Sequence, residues 1–196
     1  MIVPGRIRTL IGSLTLLLVW ASAASAHAQE RPAPPTPETK EAPYVPTPQY
    51  VVGHMLKLAD VTAEDTVFDL GSGDGRIVLT AAKAFGARGV GIEIDSALVE
   101  RARRNARRAG VADRTTFRRG DLFEANLRPA AVVTLYLWPN MNNRLRPKLR
   151  NELAPGTRVV SHGFGIDGWE PDTTVTLDSS VLPGGSTEIY LWTVPD

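Results

Sequence analysis

The sequence predicts an α/β protein with a doubly wound, mainly parallel sheet, helices on both faces and an antiparallel edge. From residue 66 onward, short apolar runs typical of strands alternate with stretches of helical periodicity. After the fifth such run, TTVTLDSS and TEIYLWTV alternate with period two on either side of LPGGS, which indicates a hairpin. Five strand–helix repeats followed by a hairpin predict this architecture.

Composition limits the classes of function that the chain can serve. The 196 residues suffice for one domain of ordinary size, and 43% are hydrophobic, as in proteins with a packed core. The formal charge of +1 gives no strong field for nucleic acid or an anionic membrane surface, so neither is expected as a partner. Because cysteine is absent from the sequence, disulfides, thiol nucleophiles and zinc–thiolate sites are excluded, and we expect no metal site.

Residues 1–28 have the three-part pattern of a secretory signal peptide. Arg6 and Arg8 precede an apolar stretch, and Ala26 and Ala28 are small residues suited to a cleavage site. The alternative is an uncleaved membrane anchor, although the apolar stretch is shorter than the ~20 residues that a spanning helix needs. Either reading places the domain outside the cytoplasm, periplasmic or secreted. Without this segment the formal charge becomes −1, since it contains two arginines and no acid.

Residues 29–43 are rich in proline and charge, which predicts a disordered tether that leads into a domain over 44–196. The first element of that domain is a helix from about Thr47 to Leu58, with Pro48 in its first turn. Apolar residues recur there at helical spacing: Val51, Val52, Met55, Leu56 and Ala59.

The strands and helices of the repeats follow in order. TVFDLG, RGVGIEID, TTFRRGD, AAVVTLYLW and TRVVSHGF are the five apolar runs predicted as strands. GDGRIVLTAAKAFG predicts a helix that ends at Gly86, and SALVERARRNARRAG one with Ser96 as N-cap and Gly110 as stop. NMNNRLRPKLRNEL predicts another helix, which Pro147 should kink or split.

The first strand-to-helix bend, DLGSGDGR at 69–76, is the strongest candidate for a ligand site. Ligands of such sheets bind at the carboxyl ends of the strands, where glycines permit close approach and a helix N-terminus offers N–H groups. The glycines have the spacing G-x-G-x-G, and Arg76 stands where a dinucleotide site has its third glycine. Asp69 would repel a pyrophosphate and suits a ligand with an ammonium group; alternatively it only fixes the loop.

Two further strand ends carry carboxylates. Glu93 lies about 20 residues after the glycine loop, where an acid accepts both ribose hydroxyls, although Asp95 competes for that role. Asp121 follows the third strand and could accept from the exocyclic amino group of adenine, with the N–H of Leu122 beside it. Three acidic strand ends therefore predict one elongated nucleoside pocket.

These motifs resemble those of class I S-adenosylmethionine-dependent methyltransferases. The resemblance rests on VFDLGSGDGRIV, GVGIEID and RRGDLF in that order, and covers residues 44–194. It implies a Rossmann-like seven-stranded sheet with a C-terminal antiparallel strand inserted beside the fifth, and S-adenosylmethionine as cofactor. PYVPTPQYVVGHML and LYLWPNMNNRLRPKL resemble a branch with small bacterial members, which includes the mitochondrial lysine methyltransferases of the ATP synthase c-subunit and the adenine nucleotide carrier.

The resemblance also implies roles for the cofactor-binding residues. The methionine part would be held by Asp69, Gly71, Gly73 and Gly75, the ribose by Glu93, and the adenine by Asp121 and Leu122.

The acceptor side has a fainter signature. Many amine and amide methyltransferases end the fourth strand with an acidic or amide residue, two prolines and an aromatic, whereas this chain has YLWPN. Asn140 could accept from an incoming amine while Tyr136 and Trp138 attract a cation; alternatively the aromatics are core and Asn140 caps the next helix. His162 ends the fifth strand and titrates near neutrality, although a structural histidine is an equal alternative.

The predicted function is transfer of a methyl group from S-adenosylmethionine to a protein lysine. The alternatives are a small-molecule acceptor, or a nucleoside-binding module without transfer activity. Tyr44, Thr47 and Tyr50 would form a lid over the cofactor. The arginines of the second repeat's helix are expected on a solvated surface, and the chain is expected to be a monomer.

Overall fold

The computed structural model describes residues 44–178 and 185–196, all within the compact unit Pro37–Asp196. The predicted signal peptide, the tether and most of the LPGGS turn lie outside the described residues. No helix in the described part of the chain has the length and apolar character needed to cross a membrane.

Eleven elements follow one another in the described residues. The helices are α1 Gln49–Leu58, α2 Arg76–Phe85, α3 Ser96–Ala109 and α4 Pro139–Glu152. The strands are β1 Thr66–Leu70, β2 Arg88–Glu93, β3 Thr115–Arg119, β4 Val132–Leu135, β5 Arg158–His162, β6 Thr173–Asp178 and β7 Ser186–Thr193.

The seven strands form one sheet in the order β3-β2-β1-β4-β5-β7-β6. The first five are parallel, whereas β7 runs antiparallel to β5 and to β6. This order confirms the predicted doubly wound sheet and the insertion of an antiparallel strand beside the fifth. The strand order reverses between β1 and β4, so a crevice opens at the carboxyl ends of these strands.

Three apolar layers hold the helices against the sheet. One buries α4 through Leu145 and Leu149 together with Trp192 of β7, a second buries α1 through Met55 and Leu56, and a third buries α3 through Val99. Residues Val67–Leu70 of β1 are all buried, as expected of a central strand covered on both faces. The sheet is therefore a rigid platform for groups at its carboxyl edge.

The prediction of five strand–helix repeats was wrong in two places. Residues 120–131 connect β3 to β4, and residues 163–172 connect β5 to β6, without a helix. Both stretches are short and contain glycine, proline or acidic residues, which favour turns over helical periodicity.

Helix boundaries also differ from the prediction. Asp95, not Ser96, caps α3, and its Oδ1 accepts from the N–H groups of Ala97 at 2.8 Å and Leu98 at 3.3 Å. An aspartate suits this position because it both accepts the free N–H groups and complements the helix dipole. The first helix begins at Gln49, two residues later than expected, and Pro48 is its N-cap.

Pro147 does not split α4, which continues from Pro139 to Glu152. Proline has no N–H, so the carbonyl of Asn143 loses its helical hydrogen-bond partner. The ring of Pro147 lies on the exposed face of α4, and this carbonyl is therefore on the solvent side as well. Buried Leu145 and Leu149 anchor the helix on either side of the proline.

Candidate active site at the carboxyl edge of the sheet

A cleft opens at the carboxyl ends of β1 to β4. The volume of the cleft, measured out to its open mouth, is about 1100 Å³. The lining comes from the glycine loop, the three acidic strand ends, the end of β4 and the segment before α1. The lining residues are Tyr44–Thr47, Asp69, Gly71–Asp74, Arg76, Ile77, Ile92–Asp95, Leu98, Gly120–Phe123, Tyr136, Leu137 and Met141.

The loop between β1 and α2 is a tight bend. The backbone N–H groups of Gly71 and Ser72 donate to the carbonyl of Ile92 at 2.9 and 3.0 Å, which holds the loop against β2. Gly75 is the N-cap of α2 at φ 84°, a left-handed conformation that glycine adopts without strain. It is absent from the cleft lining and backs onto the ring of Phe117 instead, so it shapes the bend from behind.

Asp69 lies buried under this loop. Its Oδ1 accepts from the hydroxyl of Thr134 at 2.7 Å. Burial raises the pKa of Asp69 to about 7; the hydrogen bond from Thr134 opposes this shift, and the charges of Glu93 and Asp74 add to it. The position therefore favours either a proton on the carboxyl group or a cation beside it.

Glu93 joins the loop to the second strand. Its Oε2 accepts from the N–H of Gly73 at 2.9 Å and its Oε1 from the N–H of Asp95 at 2.9 Å. Each carboxylate oxygen has a second lone pair, so the group retains capacity to accept from ligand hydroxyls in the cleft. The structure thus adds a loop-fixing contact to the predicted ribose-binding role.

Asp121 and Leu122 line the cleft after β3. The Oδ1 of Asp121 accepts from the N–H of Phe123 at 2.8 Å, which closes an Asx-turn. Phe123 is also part of the lining, and the guanidinium of Arg144 lies 3.7 Å from the centroid of its ring. This end of the cleft therefore combines a carboxylate with apolar walls, as a purine base requires.

The segment before α1 forms the wall that faces the glycine loop. The guanidinium of Arg76 donates to the carbonyl of Thr47 at 2.8 Å and binds both carboxylate oxygens of Asp74, at 3.0 and 2.8 Å. Although burial opposes it, these contacts from Arg76 hold the pKa of Asp74 below its usual value. Arg76 thus clamps the segment to the loop.

Asp74 and Arg76 were not among the predicted site residues. Arg76 was noted only as a departure from the dinucleotide motif, although an acid and an arginine two residues apart in a ligand loop were a usable signal. Of the predicted lid residues, Tyr44 and Thr47 line the cleft, whereas Tyr50 lies on α1 and packs against the apolar layer beneath it.

The predicted acceptor-side residues divide into two groups. Tyr136 lines the cleft and packs against His162, with ring centroids 4.0 Å apart and ring planes tilted by 33°. His162 is buried behind Tyr136 and outside the lining, and burial lowers its pKa to about 4, so it is neutral at pH 7. Trp138 and Asn140 are exposed beside the mouth, also outside the lining. Trp138 is the N-cap of α4, so Asn140 does not cap that helix.

The lining fits an adenosyl sulfonium ligand. Its carboxylates, Asp69, Glu93 and Asp121, offer acceptors for the ammonium, hydroxyl and amino groups of such a ligand. The hydroxyl of Ser72 is buried without a hydrogen-bond partner and lies against Gly91 of β2, so it packs the loop from behind. A Cβ at Gly73 would clash with the ring of Tyr44, so glycine at this position lets Tyr44 lie directly against the loop. Among residues 44–178 and 185–196, no three His, Cys, Asp or Glu side chains are grouped to hold a metal ion.

The fold and this cleft define a methyltransferase that uses S-adenosylmethionine, and comparison with known proteins identifies its family. The profile of the ANTKMT methyltransferase domain matches residues 69–173, and the chain belongs to that family. A protein-lysine N-methyltransferase of Saccharolobus islandicus is 44% identical over 153 residues, which are 78% of this chain and 93% of the relative. The adenine nucleotide translocase lysine N-methyltransferase of Mus musculus is 38% identical over 69% of this chain, but the match spans only 58% of the mouse protein.

Solved structures agree on the cofactor. An RNA methyltransferase from Salinibacter ruber, in complex with S-adenosyl-L-homocysteine, is 57% identical with a TM-score of 0.72 over 78% of this chain and 95% of its own. A methyltransferase from Geobacter sulfurreducens in complex with the same compound is 25% identical, with a TM-score of 0.55 over 64% of this chain and 52% of its own.

Proposed function

We propose that this enzyme methylates the ε-amine of a lysine side chain in a protein. The observation that supports this most is the charge of the cleft. Five carboxylates line it, whereas its one lining cation among the described residues, Arg76, is neutralised by Asp74. Such a cleft attracts an ammonium group and repels a phosphate. The lysine substrates named for the archaeal and mouse relatives support the same class of acceptor.

The residues of the cleft serve methyl transfer chiefly by alignment. S-adenosylmethionine supplies a methyl group already activated by its sulfonium, so the protein must orient the acceptor and exclude water. Asp69 would meet the ammonium of the methionine part at the glycine loop, Glu93 would accept from the ribose, and Asp121 with Leu122 would meet the adenine. Tyr136 forms the acceptor wall next to the methionine end.

The acceptor amine must lose a proton before it can attack. An exposed lysine has a pKa of about 10.4; desolvation against an aromatic wall lowers this pKa, whereas the cleft carboxylates raise it, so desolvation must outweigh them for the proton to leave to water. His162 is neutral and lies behind Tyr136, so its role in this proposal is to support the ring rather than to contact the amine. Asn140 lies on the exposed first turn of α4, where it could accept from the amine only during entry.

Labelled methyl transfer tests this function directly. The mature chain is incubated with methyl-labelled cofactor and, separately, protein extract, RNA and small amines, and labelled protein is digested for mass spectrometry. We expect label in protein as methyl-lysine, and its loss with Glu93→Ala. Label in RNA or in a small amine, with none in protein, would contradict a lysine acceptor.

We also propose that the domain works outside the cytoplasm as a monomer. Support comes from the charged, apolar and small-residue pattern of residues 1–28, which fits an export signal. Cell fractionation and N-terminal sequencing test the proposal: export with cleavage predicts a periplasmic or secreted chain that begins at Gln29. A cytoplasmic chain that retains its first residues would contradict it, and light scattering of the purified chain tests the monomer.

A further inference from the structure

Three large apolar side chains stand out by their exposure in the described residues. They are Tyr44 at 41%, Val45 at 53% and Trp138 at 45%. Single exposed apolar residues are common on protein surfaces, but a group of them around one opening marks an interaction site. Tyr44 and Val45 line the cleft, whereas Trp138 lies outside the lining and directly follows Leu137, which lines it.

The two segments that carry these side chains, the one before α1 and the end of β4, both contact the glycine loop. A Cβ at Gly73 would meet the ring of Tyr44, and one at Gly71 would lie 3.0 Å from the side chain of Leu137. Because these glycines are two residues apart, the walls that carry Val45 and Trp138 flank the same short loop. The acidic cleft opens between them.

The wall that bears Trp138 is held in place. Its indole packs against Phe164, with ring centroids 5.7 Å apart. The chain around Phe164 is fixed by buried Asn142, whose amide donates to the carbonyls of Phe164 and Gly165, each at 3.2 Å. An exposed aromatic that is preorganised in this way loses little conformational entropy when it contacts a partner.

We propose that Val45, Trp138 and Phe164 form an apolar rim that docks apolar side chains flanking the acceptor lysine in a protein substrate. This inference rests on the proposed function, in which the amine would enter the cleft beside Val45 and the end of β4. A lipid surface is less suitable, because lipid phosphates would meet the carboxylates of the cleft. The rim therefore selects lysines within apolar stretches, and the acidic cleft then receives the charged side chain.

Peptide binding without cofactor tests the rim separately from methyl transfer. Two fluorescent peptides of equal length and net charge carry one lysine, flanked by leucine and phenylalanine in one and by serine and glycine in the other. Fluorescence anisotropy should show at least about tenfold tighter binding of the apolar-flanked peptide, which corresponds to burial of one or two side chains. The double variant Val45→Ser/Trp138→Ser should bring this ratio close to one, and Trp138→Phe should retain part of it.

The control variant is Val175→Ser, which makes the same valine-to-serine change on β6, and it should keep the ratio of the unaltered chain. Equal affinities in the unaltered chain, or a ratio that survives in the double variant, would overturn the rim. Methylation of both peptides is then measured with cofactor. Tighter binding of the apolar-flanked peptide without methylation of either peptide supports the rim and contradicts the proposed function. Methylation of the peptides with equal binding affinities supports the proposed function and contradicts the rim.

Discussion

At the scale of single residues, the buried carboxyl group of Asp69 has the clearest consequence. Its pKa is raised from 3.8 to about 7, so the folded chain binds this proton more tightly than the unfolded chain does. The contribution of Asp69 to stability is therefore fully present below the unfolded pKa and is lost as the pH rises toward 7.

We predict that the unfolding free energy of the ligand-free chain falls between pH 4 and 7, by at most about 1.4 kcal/mol per pH unit from this group. Binding of S-adenosylhomocysteine should change in the opposite direction, because its ammonium group favours the ionised carboxylate. Its affinity should rise with pH toward 7. Urea denaturation and calorimetry across this range measure both slopes. Asp69→Asn keeps an acceptor for Thr134 and should flatten the pH dependence of both stability and affinity. Unchanged slopes in this variant would show that Asp69 is not the group that titrates.

The ion pair of Asp74 and Arg76 gives a second residue-scale prediction. Arg76→Ala leaves Asp74 without its partner and releases the carbonyl of Thr47, so affinity for S-adenosylhomocysteine should fall about tenfold, or ~1.4 kcal/mol. Asp74→Ala and the double variant complete a cycle, measured by calorimetry, in which we expect a coupling energy of roughly 1–2 kcal/mol. Arg104→Ala, on the exposed face of α3, is the control and should leave the affinity unchanged. Additive losses would show that the two residues act independently.

At the scale of elements, the start of α3 separates what was predictable from what was not. The sequence predicted the helix with Ser96 as its N-cap, whereas the structure has the neighbouring Asp95 as N-cap and Ser96 as the first helical residue. Only the backbone conformation decides between them, since the cap residue must be extended while its successor is helical. Asp95 has φ −78° and ψ 111°, and its carboxylate receives the two N–H groups.

Substitutions at these two positions test the cap. Asp95→Ala should lower the unfolding free energy by about 1 kcal/mol, because two N–H groups lose their acceptor. Ser96→Ala should change it by less than about 0.5 kcal/mol, since it alters only a first-turn side chain. Urea denaturation of the ligand-free chain measures both changes in unfolding free energy. Because no ligand is bound, an effect of Asp95 on ligand binding does not contribute to them. A larger loss at Ser96 than at Asp95 would contradict the cap.

At the scale of the whole molecule, the sequence predicted the sheet better than the site. All seven strands were predicted from the apolar runs and the terminal period-two stretches, because buried strand positions are occupied by apolar residues. The clamp of Arg76 on Thr47 joins residues 29 positions apart, and the burial of His162 behind Tyr136 depends on packing between strand ends. Such contacts leave no local pattern, which explains why Arg76 was missed and His162 was expected nearer the acceptor.

Ligand selectivity tests fold and cleft together, because the cleft draws on four strand ends and on the segment before α1. A compound that binds only the folded chain stabilises it by about 2.7 kcal/mol at 100 times its dissociation constant. For a domain of this size, S-adenosylhomocysteine should then raise the midpoint of thermal unfolding by roughly 5–10 °C. NAD⁺ should not raise the midpoint, because Asp69 would repel its pyrophosphate and Arg76 stands in place of the third glycine of a dinucleotide motif. Glu93→Ala should reduce the shift that S-adenosylhomocysteine causes. Scanning fluorimetry measures all three; a shift with NAD⁺ equal to that with S-adenosylhomocysteine would show that the acidic strand ends do not select the ligand.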